Sequence, residues 1–115
     1  MKIQSNRLTG AALDWAVAKC EGVIWAALDG ELLGSARGMN YSTDWAQGGP
    51  IIERQGMWLR HFTADDPANA RWEAINGWFP ANVICAGPTP LIAAMRCYVA
   101  SKLGNEVEVP DGLLT

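Results

Sequence analysis

The stretch TPLIAAMRCYVASKLG, residues 89–104, constrains this chain more than any other. Thr89 can cap a helix, and Pro90 suits its first position, where no N–H is needed. Gly104 ends it. Leu91, Ile92, Met95, Val99 and Leu103 make a broad apolar face over residues 90–103. The opposite side carries Ala93, Ala94, Cys97, Ala100 and Ser101, small enough to let another element come close. Only Arg96 and Lys102 are charged. A helix apolar nearly all round must be covered on two sides. It lies either between a sheet and another helix or in a subunit interface.

The rest of the chain supplies partners for that helix. Residues 10–21 read as a helix with Thr9 as N-cap, Leu8 as the staple residue before it and Gly22 as its stop. Leu13, Ala16, Val17 and Cys20 share one face. Asp14 and Glu21 are expected on the opposite, solvated side. Trp15 stands off the apolar stripe beside Lys19, either partly exposed or packed under another element. Shorter, strand-like runs follow. VIWAAL precedes Asp29-Gly30, a hairpin pair with ELLG as its return strand. MWLRHF and RWEAI alternate, and Asn76-Gly77 marks a hairpin before WFP. ANVICAGPTP reads as a strand turning into the closing helix, and EVEVPDGLLT as an extended tail. The expected architecture is α+β: a small antiparallel sheet packed with an N-terminal and a C-terminal helix, in a single domain over residues 1–115. Half of the 115 residues are hydrophobic, enough for a core.

Several function classes are poorly supplied. The net charge is −3 and the nine basic residues are scattered, so stable nucleic-acid binding is not expected. A folded surface that gathers Arg54, Arg60 and Arg96 stays open. Three widely spaced cysteines read as reduced, buried thiols, and with a single histidine, His61, they make a poor zinc site. No metal or cofactor is expected. Asp65-Asp66 lies in a loop beside a proline, and neither a nucleophile elbow, a Walker A loop nor a Rossmann fingerprint occurs. The chain therefore reads as non-enzymatic. The N-terminus lacks the apolar segment of a signal peptide, and no run is long enough to span a membrane.

Six tryptophans are the compositional oddity. A domain this small buries only some of them, and the others are expected at a pocket or interface. The segment YSTDWAQGGP, residues 41–50, is the leading binding element. Ser42 or Thr43 would cap a short helical turn beginning at Asp44. With Gln47 they offer donors and acceptors on one surface. Gly48 and Gly49 would expose backbone N–H groups before a second short helix starting at Pro50, an arrangement suited to an anion. Tyr41 and Trp45 would flank it with flat apolar faces. The equally weighted alternative is a capped turn whose Trp45 plugs the core. Gly87 and Thr89, before the closing helix, form a second such place, with ordinary capping as the simpler reading.

Three blocks carry a family likeness: LTGAALDWAVAKCEG, YSTDWAQGGPIIER and GPTPLIAAMRCYVASKLGNEVEVP. Together they resemble the NinX family, small proteins of tailed phages and prophages of enteric bacteria. The same element order is similar to small phage domains described as α/β/α sandwiches. The resemblance implies a phage accessory protein in the host cytoplasm, acting by binding, and supplies no catalytic residues. On that footing the first expectation is sequestration of a small anionic or nucleotide-like molecule by a homo-oligomer. Tyr41, Trp45 and Trp72 or Trp78 would stack on the base. Ser42, Thr43, Asp44 and Gln47 would hydrogen-bond base or ribose. Gly48 and Gly49, with Arg54 or Arg60, would meet phosphate. The second expectation is a protein-interaction module that inhibits or redirects a host protein through exposed tryptophans.

Overall fold

The structure is a computed structural model, and it describes residues 1–22, 39–61, 72–77 and 82–110. The closing helix, Pro90–Leu103, has the bounds its sequence predicts. The described residues contain two earlier helices, α1 (Gly10–Cys20) and α2 (Trp45–Gln55), so the closing helix is α3. Strands β2 (Trp58–His61), β3 (Trp72–Asn76) and β4 (Val83–Gly87) form an antiparallel sheet in the order β2-β3-β4. Strand β1 (Lys2–Gln4) pairs antiparallel with β5 (Glu106–Glu108). A 3₁₀ turn, Ser5–Arg7, links β1 to α1.

Helix α3 lies against β3 and β4 on one side and meets α1 and α2 as well. The helix is thus covered by sheet and helix, the first of the two placements its composition allows. Leu91, Ala93, Ala94, Met95, Cys97, Tyr98 and Val99 are buried. They meet Leu13, Ala16 and Val17 of α1, Ile51 of α2, and Ala74 and Cys85 of the sheet in one core. Each fully buried Leu, Val or Met contributes about 1.5–3 kcal/mol. The small residues do what their size permits. A Cβ on Gly87 would lie 2.8 Å from the Ala93 nitrogen, so β4 and α3 touch backbone to backbone.

Register sorts the sheet into two faces. The pairs Leu59↔Ala74↔Cys85 and Asn76↔Val83 face α3. The row Trp58↔Ile75↔Ile84 faces the other way, as do Arg60↔Glu73↔Ala86. On that outer face Trp58 is 70% and Ile84 52% exposed.

Local expectations meet several corrections. Asp14 is buried rather than solvated, because α1 is covered along nearly its whole circumference. Trp15 takes the second of its two expected placements, packed into the core, with the Lys19 ammonium 5.3 Å from its ring. Asn76 ends β3 with Gly77 at φ 95°, and β3 pairs with Val83–Gly87, while WFP lies outside the described residues. The tail at residues 106–108 is no loose end, since it pairs with the N-terminus. The hairpin expected over residues 23–34, along with Trp25, Asp65-Asp66 and Trp78, lies outside the described residues.

The largest correction concerns Gly48 and Gly49. They and Pro50 lie inside a single helix, α2, instead of separating two. Asp44 is its N-cap and Gly56, at φ 66°, its C-cap. Pro50 is interior to it, so the Ala46 carbonyl lacks its helical donor. Ala46 is exposed, where water can serve it. A Cβ on Gly48 would lie 2.4 Å from the Tyr41 carbonyl oxygen and 2.6 Å from Leu91 Cδ1. On Gly49 the nearest contact beyond its chain neighbours and its helix backbone is Trp45 Cε3, at 3.8 Å, but the Pro50 ring crowds a Cβ on the helical residue just before it. The two glycines should therefore respond unequally. Gly48→Ala should destabilise by about 1–3 kcal/mol through overpacking. Gly49→Ala should change stability by less than about 0.5 kcal/mol, the loss of glycine's backbone freedom being offset by the pre-proline clash. Urea midpoints at unchanged m measure both; a Gly49→Ala as destabilising as Gly48→Ala would contradict this packing.

Candidate functional site

The segment 40–50 is held by its own polar groups. The Asn40 carbonyl accepts from Thr43 N at 3.1 Å and Asp44 N at 2.7 Å. Asp44 Oδ1 accepts from Ala46 N at 2.9 Å, so Asp44, not Ser42 or Thr43, caps the helix. Gln47 stands where a capping box places its reciprocal residue. Its Oε1 accepts from Asn40 N at 2.7 Å, and its Nε2 donates to Asp44 Oδ2 at 3.4 Å. The loop is thereby closed on itself.

Beneath it, Asp14 Oδ1 accepts the Ser42 backbone N–H at 2.8 Å. Burial pushes the Asp14 carboxyl up, while the Ser42 N–H and hydroxyl draw it back down. The Ser42 hydroxyl makes no hydrogen bond of good geometry, and neither does the buried Trp15 Nε1. Ser42 is fully buried and Tyr41 half-buried against the core. Thr43 and Trp45 face outward, and Trp45 is 52% exposed. The segment is a capped helix start, and its Trp45 does not plug the core.

The other expected contacts fall on separate elements. Arg54, at the far end of α2, pairs with Glu21 Oε2 at 2.6 Å and reaches Tyr98 Oη at 3.3 Å. Tyr98 in turn donates to Glu21 at 2.5 Å. Burial and this bond to Glu21 push the phenol up to about 12. The triad ties α1, α2 and α3 together. Arg60 pairs with Glu73 across the outer sheet face at 2.8 Å. Trp72 is half-buried on the α3 side, with the His61 ring 4.7 Å away. Thr89 accepts from Ile92 N at 3.1 Å, ordinary capping. Arg96 donates to the Leu8 and Ala86 carbonyls at 2.7 and 2.9 Å. Arg54, Arg60 and Arg96 thus serve three different sets of partners.

The structure therefore brings Tyr41 to Gly49 together but leaves Arg54 at the far end of α2, and Arg60, Trp72 and Thr89 on other elements. Two surfaces escaped sequence reasoning. One is the outer row Trp58–Ile75–Ile84, whose signal was the period-two alternation of MWLRHF and RWEAI. The other is a groove along β4, the outer strand of the sheet among the described residues, which no sequence pattern announces. Among the described residues no group of three His, Cys, Asp or Glu gathers for a metal, and no helix is long and apolar enough to cross a membrane.

Asp14 makes a testable centre for this region. Its carboxyl holds a proton more readily folded than unfolded. Stability it contributes is therefore full below about pH 3.9 and falls as pH rises through the raised value. Asp14→Asn keeps an acceptor for Ser42 N–H and should abolish that slope, gaining on wild type as pH rises. Asp14→Ala should lose about 1–3 kcal/mol at every pH, because it strands the N–H. Urea titrations across that range decide it; a wild-type–Asn difference that never changes with pH would refute the assignment.

Comparison with curated proteins gives no match. A family model described as Bacteriophage P22, NinX, matches residues 4–102, which takes in α1, α2, the three-stranded sheet and all of α3 but its last residue. The chain belongs to this phage NinX family.

Proposed function

We propose that this phage accessory protein works in the host cytoplasm as a protein-interaction module, with the outer face of the sheet as its docking surface. One observation carries the reading. Trp58, Ile75 and Ile84 stand side by side in register, and the two end members are the most exposed large hydrophobics of the sheet. Exposed apolar rows of this kind are costly unless something covers them. A tryptophan beside a β-branched residue, rimmed by the Arg60–Glu73 pair, has the make-up of an interface hot spot with a polar border.

A second reading is retained for Trp45. Half-exposed on the first turn of α2 and next to the exposed Thr43, it offers a stacking face for a nucleotide-like ligand. The polar groups around it are already engaged with one another, which favours the first reading.

The two are separated by one set of variants. Trp58→Ala should cost under about 0.5 kcal/mol of stability, being a surface change. It should weaken the complex with the host protein recovered on the wild-type chain by about 30-fold or more, the mark of a hot spot. Ile84→Asp should do the same, and Trp45→Ala should leave the complex intact. Calorimetry with the purified pair measures this. Unchanged affinity in both sheet variants, together with a thermal shift on a nucleotide panel that Trp45→Ala removes, would overturn the reading in favour of the second.

A further inference from the structure

The groove along β4 has the 3₁₀ turn and the β1–β5 ribbon as its other bank. Asn6, Ile84 and Cys85 line both of its adjoining compartments, one of them about 780 Å³, ample for a small molecule. Cys85 is 6% exposed and forms part of this wall. Arg96 lines the same compartment. Its hydrogen bonds to the Leu8 and Ala86 carbonyls fix it there, so its charge stays beside the thiol.

The next residue on α3 is Cys97, fully buried. Val83 and Cys85 point to the same side of β4, toward α3. Cys97 Sγ lies 3.1 Å from the Val83 carbonyl oxygen. Backbone contact between Gly87 and Ala93, one helical turn earlier, holds α3 close enough for the two thiols to interact. The Cys97 S–H donates to the Val83 carbonyl, and Cys85 stands two residues further along the same face of β4. Interaction with Cys97, and then the Arg96 charge, draw the Cys85 thiol down against its burial. Cys97 is pushed the other way by Cys85 and by burial. One thiol is set up to lose its proton and its neighbour to keep it.

We propose that Cys85 is a modification site for small electrophiles entering the β4 groove, hydroperoxides among them, with Cys97 as its resolving thiol. The Cys85 thiolate attacks the distal oxygen of a hydroperoxide. The O–O bond breaks, an S–O bond forms, and the alkoxide or hydroxide leaves to take up a proton. Cys97 then attacks the resulting sulfenic acid, its own proton leaving with the hydroxyl as water, and a Cys85–Cys97 disulfide results. The hydroperoxide is reduced by two electrons and the two thiols are oxidised by two.

Cys20 is the internal control. It is more exposed than Cys85, but burial and Glu21 push its thiol up to about 11. Reactivity governed by exposure alone ranks Cys20 first, whereas this site ranks Cys85 first. The native full chain is treated with limiting iodoacetamide near neutral pH, and the labelled peptides are quantified by mass spectrometry. Cys85 should label about tenfold faster than Cys20. Hydrogen peroxide should then give a reducible Cys85–Cys97 disulfide. Cys97→Ser should give no such disulfide but a Cys85 sulfenic acid trapped by dimedone. Cys20 labelling first would overturn the proposal. So would Cys85 and Cys97 labelling together at the rate of global unfolding, or a peroxide product that omits Cys85. The labelling order needs no variant, so it decides the matter even if Cys97→Ser fails to fold.

Discussion

Everything in this fold hangs on how closely α3 can lie against its neighbours. At Gly87 the strand backbone touches the helix backbone at Ala93, and at Gly48 helix α2 touches Leu91. Two glycines on other elements thus seat one helix, against Ala93 and against Leu91. Close seating multiplies dispersion contacts and leaves little empty volume. It also explains how so short a chain builds a continuous core from only a few large aliphatic side chains. The Glu21–Arg54–Tyr98 triad then joins all three helices at the rim, where partial exposure keeps the cost of burying charge low.

Helix α3 was legible in the sequence because its signals are local. Thr89, Pro90 and Gly104 mark its ends chemically, and its all-round apolar character implies cover on two sides. Strands β2, β3 and β4 were legible for the same reason, through alternation and turn residues. Helix α2 was not. Gly-Gly-Pro is a strong local signal for breaking a helix. Here it is overruled by Gly48's need to approach Leu91 and by a proline whose stranded carbonyl is solvated. Long-range pairing was equally hidden. Nothing local in residues 2–4 or 106–108 says that they meet, and nothing in Asp14 says that a backbone N–H 28 residues later will draw it under cover.

The binding reading of residues 41–50 turned on polar groups looking available in one dimension. In three dimensions the same groups answer one another: Asp44 to Ala46, Gln47 to Asn40 and Asp44, Ser42 N to Asp14. A helix start with many donors and acceptors can fold onto a ligand or onto itself, and composition does not distinguish the two. Thr43 and Trp45 point outward, beside the exposed Ala46 and Pro50. The candidate site shrinks accordingly, and the weight moves to the sheet, where period-two alternation gives a row of side chains that the core does not use.

That shift gives β4 an unusual position in the molecule. Cys85 and Ile84 are consecutive residues, and in a strand consecutive side chains lie on opposite faces. Ile84 belongs to the outer row and also borders the groove, which Cys85 lines from the α3 side. A bond between Cys85 and Cys97 would anchor β4 to α3 beneath that row without altering any residue that forms it. Cys85 can be substituted without touching the outer row, and Trp58 without touching the groove, whereas Ile84 borders both. Since Gly87 already presses the β4 backbone against Ala93, the strand has little room to shift. Any coupling between the two proposed roles would therefore run through the Ile84 side chain rather than through a displacement of the strand.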